Sequence, residues 1–336
     1  MPNRLTPAWQ FATDDYPTAL AVSRDGSLVA IGTAAGSLTV LDASTGEIVQ
    51  RIAEAHVNGV LCIAFGKSLL ASGGQDGQAR LWDARSGEQK ALMPGGGSWV
   101  QHLLFTADGK RLATAAGKSV KLWDASGTLQ REWTAKAGVN GLAFNPVGGL
   151  LAAAVGAEVL LWRCADGGLD RTLKWASTLL NVHCAPDGKI IACGSIDKTV
   201  HFWRTGVWSD SQMAGYLTKP LSLAWSADGK QLATTGDECL IVWNFAGKGP
   251  EGVAPIQLYG HTTPPTLVAT HPKKPLLLSG GKDTRLILWE PRAKTEPLGL
   301  VKLGGEVAAL AFNPNASLAY AADAGGQLSA FWIETA

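Results

Sequence analysis

The sequence predicts an all-β protein in which eight four-stranded antiparallel sheets form a closed ring. Three observations predict this fold class. A motif ending on Trp recurs along most of the chain, short apolar runs alternate with turn residues inside each repeat, and an extended segment near the N-terminus belongs to no repeat. Repeats of about 20 to 50 residues are typical of folds in which neighbouring units bury one another's apolar faces. We therefore expect a single domain over residues 1–336.

The repeat is marked by a Trp that follows an apolar residue. It occurs six times, at intervals of 39 to 46 residues, as Trp82, Trp123, Trp162, Trp203, Trp243 and Trp289. Two weaker copies, which end on Leu41 and Phe331, extend the series at both ends. The chain therefore contains eight repeats.

Each repeat holds short apolar runs that turn residues separate. In the third repeat, Asp108-Gly109 lies between the runs Val100 to Phe105 and Leu112 to Thr114, and Val120 to Trp123 follows. Runs of this length that are bounded by Asp-Gly or Asn-Pro are typical of antiparallel strands in hairpins. A fourth run, here Thr128 to Trp133, follows in each of the first seven repeats and predicts an outer strand.

The eighth repeat shows no fourth run, whereas the extended segment 8–12 precedes the first repeat. If this segment supplies the outer strand of the last unit, no sheet is left with an unfilled edge. We therefore predict that the ring closes through residues 8–12. The expected units lie at about 17–52, 56–93, 98–133, 138–174, 178–214, 219–258, 261–303 and 306–333.

These repeats resemble those of the WD-repeat (WD40) β-propeller family over essentially the whole chain. The resemblance is carried by Leu-Trp-Asp endings such as 81–83 and 122–124, by Pro-Asp-Gly at 186–188, and by the stretch Ala71 to Gly77. Most of the family have seven blades, whereas eight repeats can be counted here. The resemblance implies an eight-bladed β-propeller of four-stranded antiparallel blades.

The resemblance also implies a hydrogen-bonded tetrad of His, Ser or Thr, Asp and Trp inside a blade. Two repeats hold all four residues, namely His56, Ser72, Asp76 and Trp82 in repeat two, and His261, Ser279, Asp283 and Trp289 in repeat seven. Repeat five keeps Asp197 and Trp203 but has Trp175 and Cys193 at the other two positions, and repeat six offers Tyr216, Thr234, Asp237 and Trp243 as a looser variant. The remaining repeats have no His at the first position, having instead Thr13, Gly96, Ala135 and Leu303, so we expect those blades to rely on packing alone.

Composition excludes several classes of function. Hydrophobic residues make up 46% and charged residues 17% of the chain, with a net charge of +1 and no block of like charge, which disfavours nucleic acid and anionic membranes as partners. The sequence contains neither a signal-peptide core nor a long apolar span, and its five Cys form no CxxC pair. We expect a cytoplasmic protein with reduced thiols.

Four motifs could carry chemistry, and each has a structural alternative. The His, Ser and Asp of a tetrad invite a catalytic-triad interpretation, but no nucleophile elbow accompanies them. His183, Cys184, Cys193 and His201 could bind zinc, but neighbouring residues of a strand face opposite ways. Gly95 to Gly97 lacks the Lys and the helix of a phosphate loop, and Asp42 to Glu47 matches the turn of eight-bladed quinoprotein dehydrogenases without their Trp. We interpret all four as structural and expect no cofactor, no metal and no enzymatic activity.

The remaining candidate is the face that carries the connections from each outer strand to the next inner strand. Counting along each repeat from its inner strand places twelve residues on this face. They are of mixed apolar, polar and charged type: Tyr16, Leu61, Gln75, Trp99, Gln101, Asn140, Leu180, Ile196, Lys219, Leu221, Lys282 and Glu306. Such a mixture on loops of a rigid scaffold is typical of a protein-binding face, although solvated loops could share it.

The sequence therefore predicts a monomeric, non-enzymatic platform that binds one or more proteins or peptides. The alternative is a propeller that binds a small ligand or metal in its central channel, possibly as an enzyme of quinoprotein type. A channel enzyme needs convergent titratable groups, and the inner strands offer only His102 and His183. That scarcity favours the platform.

Overall fold

The computed structural model describes residues 3–147, 149–315 and 317–334, and these residues form 32 β-strands. They are arranged as eight four-stranded antiparallel sheets, which confirms the predicted eight-bladed β-propeller. Within these ranges, no helix is long and apolar enough to cross a membrane.

The first strand, β1 (Leu5–Ala12), belongs to the last blade, and the others follow in chain order, four to a blade. Blades one to four contain β2 (Pro17–Val22), β3 (Leu28–Thr33), β4 (Leu38–Asp42), β5 (Ile48–Ile52); β6 (Val60–Phe65), β7 (Leu69–Gly74), β8 (Gln78–Asp83), β9 (Gln89–Pro94); β10 (Val100–Phe105), β11 (Arg111–Ala116), β12 (Ser119–Asp124), β13 (Leu129–Thr134); β14 (Val139–Asn145), β15 (Leu150–Val155), β16 (Glu158–Arg163) and β17 (Leu169–Lys174).

Blades five to eight continue in the same order. They contain β18 (His183–Cys184), β19 (Ile190–Gly194), β20 (Val200–Arg204), β21 (Ser209–Met213); β22 (Leu223–Trp225), β23 (Gln231–Thr234), β24 (Leu240–Asn244), β25 (Ile256–Leu258); β26 (Pro265–Thr270), β27 (Leu277–Gly281), β28 (Arg285–Trp289), β29 (Gly299–Lys302); β30 (Val307–Phe312), β31 (Leu318–Asp323) and β32 (Gln327–Ile333). In blades one to seven the first strand is innermost and the fourth is outermost.

The turns between strands follow from their residues. Between β10 and β11, Asp108 accepts hydrogen bonds from the Thr106 hydroxyl (2.6 Å) and from the backbone N–H of Lys110 (3.0 Å), which folds the chain back on itself. Gly109 has φ of 69°, a conformation that favours glycine. The Asp-Gly pair therefore fixes this hairpin.

The hydrophobic core is divided into eight layers, one between each pair of neighbouring blades. The layer between blades seven and eight, for example, joins Leu286 and Leu288 to Phe331, and the layer between blades eight and one joins Tyr320 to Ile31. Corresponding clusters lie at the six other junctions. No blade buries its faces alone, so each depends on both neighbours.

The N-terminal strand closes the ring by pairing with the last strand. Partners run antiparallel from Leu5 opposite Ile333 to Ala12 opposite Gln327, with a bulge between Pro7 and Trp9. Leu5 is buried in the layer between blades seven and eight. The pairing agrees with the predicted closure, although the strand begins three residues before the predicted segment 8–12.

Closure predicts a specific consequence of deleting residues 1–12. The deletion exposes the edge of β32 and removes the buried Leu5, whose burial alone contributes about 1.5–3 kcal/mol. Together with the lost strand pairing, this should lower the melting temperature by about 10 °C or more, or cause aggregation. Thermal unfolding followed by circular dichroism checks this.

The control is a chain that lacks only residues 1 and 2, which precede β1 and should leave the melting temperature unchanged. A synthetic peptide of residues 3–13, added to the deleted chain, should restore part of the loss. A deleted chain that melts like the full one would contradict closure by β1.

Candidate functional site

The candidate site lies on the upper surface, which we define by the connections from each outer strand to the next innermost strand and by the hairpins between second and third strands. These two kinds of loop are hydrogen-bonded to each other within a blade. The N–H of Ala34 donates to the Tyr16 carbonyl (2.9 Å), that of Gln75 to the Gly59 carbonyl (2.9 Å), and that of Ile196 to Thr178 (3.0 Å). The loops that carry the predicted residues are therefore held in place by the blades.

β-Bulges change the direction of side chains at the start of the innermost strands. In six blades the pairing skips the second residue of this strand, which is Thr18, Leu61, Gln101, Asn140, Thr266 or Ala308. A bulged residue is left out of the ladder and the strand bends there. Three predicted residues, Leu61, Gln101 and Asn140, occupy these positions.

Blades five and six have short innermost strands, and in blade five the same one-residue shift separates the isolated bridge Leu179–Ser195 from the pairing of His183 with Ala192. The side chain of Asn181 replaces part of the ladder, since it accepts from the N–H of Gly194 (2.8 Å) and donates to the Leu221 carbonyl (3.1 Å). The amide of Asn181 thus ties blade five to blade six. Leu180 and Leu221 lie beside this bridge.

The twelve predicted residues divide by exposure. Seven are exposed, namely Tyr16, Trp99, Gln101, Ile196, Lys219, Leu221 and Lys282, and five are half-buried, namely Leu61, Gln75, Asn140, Leu180 and Glu306. Two of the half-buried side chains have partners within the protein. The Asn140 amide donates to the Leu179 carbonyl (2.8 Å), and the Gln75 side-chain oxygen accepts from the Gly59 N–H (3.3 Å). These two contacts position loops of the upper surface.

Three exposed residues with large apolar side chains lie on upper-surface connections outside the predicted set, namely Val57, Leu217 and Tyr259, and Tyr259 is 63% exposed between β25 and β26. Val57 is 70% exposed and Leu217 is 53% exposed. These two residues follow the first tetrad position of their blades, after His56 and Tyr216. Both residues could have been predicted from the sequence by taking the residue directly after the first tetrad position of each repeat.

Apolar exposure on the upper surface falls into two sectors. Blades one to three contribute Tyr16, Val57 and Trp99, and blades five to seven contribute Ile196, Leu217, Leu221 and Tyr259. A cavity of about 360 Å³ beside Trp99 is lined by Gly97, Ser98, Gln101 and Gly117. The first sector therefore combines an aromatic side chain with an adjacent cleft.

The tetrad residues of blades two and seven are joined inside the blade. In blade seven, Trp289 Nε1 donates to Ser279 Oγ (2.8 Å), which lies 2.7 Å from His261 Nε2, and His261 Nδ1 lies 3.0 Å from Asp283. In blade two, the same chain runs from Trp82 through Ser72 and His56 to Asp76. Burial lowers the pKa of both His side chains despite the neighbouring carboxylates, which keeps the rings neutral.

These tetrads match the distances of a Ser-His-Asp triad but cannot act as one. Ser72 and Ser279 are fully buried, so no substrate carbonyl can reach either hydroxyl. Each hydroxyl oxygen also already accepts a hydrogen bond from the indole of its blade. The geometry serves stability, not nucleophilic attack.

In two blades the substituted tetrad positions give partial networks. In blade six, the Trp243 indole donates to the Tyr216 hydroxyl (2.6 Å), which lies 2.7 Å from Thr234, while Asp237 accepts from a backbone N–H instead. In blade five, the Trp175 indole donates to Asp197 (3.0 Å).

The expectation that four blades rely on packing alone is wrong for three of them. In blade three, the Trp123 indole donates to Thr114 (2.9 Å). In blade one, Ser37 donates to Asp14 (2.7 Å), and in blade eight the buried Asp323 accepts from three backbone N–H groups. In blade four, Trp162 stacks on Trp133 at 5.1 Å, and the Trp133 indole donates to the Gly167 carbonyl (2.7 Å).

The zinc alternative has no support in the geometry of blade five. His183 lies opposite Ala192 and His201 opposite Cys193, so His183 and Cys193 face opposite sides of the sheet. Burial raises the pKa of Cys184 to about 12 and that of Cys193 well above its usual value, so both side chains are neutral thiols in this structure. In the part of the chain that the structure describes, no three His, Cys, Asp or Glu are grouped to hold a metal ion.

The two loop motifs are also structural. The Asp42 carboxylate accepts from the backbone N–H groups of Ser44 (2.9 Å) and Thr45 (3.0 Å), which closes the hairpin between β4 and β5. Trp9 of the closing strand donates to the Ala43 carbonyl (3.1 Å) and covers this turn. Gly95 to Gly97 connect β9 to β10, so a strand, not a helix, follows them.

Comparison with known proteins agrees with the repeat. The family model described as "WD domain, G-beta repeat" matches residues 47–83, 87–124, 171–204, 213–244 and 254–290, which is more than half of the chain. The chain belongs to this family. The matched WD repeats each begin at or near an outer strand and end at the third strand of the next blade.

The chain is also similar to two curated proteins, one of which is named for its WD repeats. The chain is 24% identical over 283 residues to the WD repeat-containing protein slp1 of Schizosaccharomyces pombe, covering 82% of this chain and 49% of slp1. It is 23% identical over 252 residues to the mouse serine-threonine kinase receptor-associated protein, covering 59% of this chain and 72% of that protein. The chain thus spans about half the length of slp1.

A solved structure shares the fold. The crystal structure of the computationally designed Ika8 protein matches with a TM-score of 0.83 at 21% identity, over 99% of this chain and 100% of the designed one. At this identity the match supports the WD-repeat propeller fold alone.

The tetrads predict a stability difference between buried and exposed carboxylates. Asp283→Ala removes the acceptor of His261 and of the Thr262 N–H (2.7 Å), and the side chain of Asp283 is only 1% exposed. We expect a loss of about 1–3 kcal/mol in the free energy of unfolding, and a similar loss for Asp76→Ala. Urea unfolding monitored by Trp fluorescence measures both.

The control is Glu54→Ala, which changes an exposed carboxylate on an upper-surface connection and should cost about 0.5 kcal/mol or less. Equal losses in all three variants would show that the tetrad contacts contribute nothing specific.

Proposed function

We propose that this WD-repeat propeller is a non-enzymatic platform that binds one or more proteins or peptides on its upper surface. The observation that carries the proposal is the set of exposed aromatic and aliphatic side chains on loops that the blades hold rigidly. Tyr16 is 41% exposed although its carbonyl is bonded to the hairpin of its own blade, and Trp99 is 53% exposed beside a cleft. Rigid aromatic anchors of this kind contribute most of the energy of protein interfaces.

The three predicted charged residues of the upper surface lie within or beside the second apolar sector. Lys219 lies two positions before Leu221 in blade six, and Lys282 lies in blade seven, whose connection carries Tyr259, whereas Glu306 belongs to blade eight, which carries no exposed large apolar residue on this surface among the described residues. An apolar centre with charges beside it favours docking in one orientation.

A small-ligand or enzymatic role has less support. The two His side chains of the inner strands, His102 and His183, both have their pKa lowered by burial, to about 4 for His183. Neither lies in a group of three potential metal ligands within the described ranges. One relative, the serine-threonine kinase receptor-associated protein, is named for an association with a protein, which supports a binding role here.

The proposal predicts the effect of removing the two aromatic anchors. The double variant Tyr16→Ala with Trp99→Ala should lose about 2–4 kcal/mol of binding and fail to recover the partners that the unchanged protein recovers from a lysate of its own cells. Both residues lie on loops, so the circular dichroism spectrum should not change. Quantitative mass spectrometry of the captured proteins measures the loss.

The matched control is Leu129→Ala with Leu169→Ala. These residues are similarly exposed, at 44% and 52%, but begin the outer strands β13 and β17, away from the upper surface. If the control loses the partners and the aromatic double variant keeps them, the binding surface lies elsewhere on the propeller.

A further inference from the structure

A cavity of about 590 Å³ lies between blades five and six on the lower surface, which is the surface opposite to the upper one. Four turns wall it: residues 187–190 between β18 and β19, 204–207 between β20 and β21, 228–230 between β22 and β23, and 245–249 after β24. Its volume is in the range of sites that bind small ligands or short peptide segments.

The walls of the cavity are fixed by hydrogen bonds between the turns. The Thr205 hydroxyl donates to the Gly188 carbonyl (3.0 Å), and the N–H of Phe245 donates to the Lys230 carbonyl (2.8 Å). Arg204 donates to Glu251 (2.7 Å), which holds the long connection between β24 and β25 against blade five. The cavity is therefore preformed, so that little ordering is needed on binding.

The floor of the cavity is apolar. Ile190 and Phe245 line it, are only half-buried, and pack against the layer between blades five and six. Phe245 meets Phe202 and Trp225 edge-on at 5.0 and 4.8 Å, which fixes its ring. An apolar side chain of a ligand would find a rigid apolar contact here.

The side chains that line the cavity carry more positive than negative charges. The lining contains four cations, Lys189, Arg204, Lys230 and Lys248, and two carboxylates, Asp187 and Asp228, in a chain whose net charge is only +1.

Four of these six groups are neutralised by pairing. Asp187 pairs with Lys189 at 3.7 Å, and Arg204 with Glu251 at 2.7 Å. Asp228 pairs with Arg292 at 2.7 Å. Burial raises the pKa of Asp228, but the hydrogen bonds from Arg292 and Ser226 outweigh it and hold this pKa at about 2.

Two positive charges remain beside the apolar floor. Among the described residues, no carboxylate lies within 4 Å of the ammonium of Lys230 or of Lys248. Two cations next to an apolar contact complement a carboxylate that neighbours an apolar side chain. A nucleic acid would need a broader basic surface than these two side chains provide.

We propose that this cavity binds an acidic peptide segment of a partner protein, with one apolar side chain on the floor of Ile190 and Phe245 and a flanking carboxylate between Lys230 and Lys248. The site lies on the surface opposite to that of the proposed function and does not depend on it. Loss of one surface leaves the other intact, so the two proposals fail separately.

The test is a selection from a phage-displayed library of random dodecapeptides, on the full chain, after depletion on the Lys230→Glu, Lys248→Glu variant. Enriched peptides should carry an apolar residue within two positions of an Asp or Glu. The enriched peptides are then synthesised with a fluorescent label. They should bind the Lys230→Glu, Lys248→Glu variant at least about tenfold more weakly than the unchanged protein. Their affinity should also fall as salt is raised.

Two further variants make the test specific. Lys67→Glu with Lys110→Glu alters two exposed lysines in lower-surface turns of blades two and three, makes the same charge change, and should bind the peptides normally. Gly206→Trp should block binding by filling the cavity, since a Cβ at Gly206 meets nothing within 4 Å.

Melting temperatures of all variants control for folding. The proposal would be overturned if no peptide is enriched. It would equally be overturned if the enriched peptides lack acidic residues or bind the Gly206→Trp variant unchanged.

Discussion

The pairing of β1 with β32 is the constraint on which the rest of this propeller depends. Each blade buries its two faces only against its neighbours, so a ring with one open junction would expose an apolar layer on both sides of the gap. The closing strand completes blade eight through Leu5 and reaches blade one through the Trp9 indole. One extended segment thereby joins three blades at the junction between the two ends of the chain.

Within the closed ring, polar contacts differ from blade to blade while the apolar layers recur. Full tetrads occur in blades two and seven, and partial networks or stacked indoles replace them elsewhere. Because the apolar layer is common to all eight junctions, a blade tolerates the loss of its tetrad. Hydrogen bonds join the upper-surface connections to the hairpins of their own blades and hold them in place. Exposed side chains on these loops, such as Trp99, can therefore be replaced without disturbing the ring.

The fold could be predicted from the sequence because the repeat is local and recurs eight times. The Trp spacing, the Asp-Gly turns and the unpaired segment 8–12 together gave the blade count and the closure. The start of β1 at Leu5 could not be read in this way, since it depends on where that side chain fits between two distant blades.

The surfaces were less predictable for the same reason. Register placed Tyr16 and Trp99 on exposed loops, but it could not show that the Asn140 amide bridges to Leu179, 39 residues away. Val57 and Leu217 were not predicted because the candidate positions were counted from the innermost strand of each repeat and not from its first tetrad position. The cavity of the lower surface is formed by four turns spread from residue 187 to residue 249, and no local pattern marks it.

Hydrogen–deuterium exchange of the unmodified chain, read by mass spectrometry on peptides that cover residues 3–13 and 325–334, tests the closed ring most directly. Backbone amides paired across β1 and β32 should exchange only when the propeller opens as a whole, so both peptides should show the same slow exchange as the buried strands β3 and β7. Fast exchange of the N-terminal peptide, at the rate of the exposed connection 136–138, would mean that β1 does not close the ring and would contradict this account of the molecule.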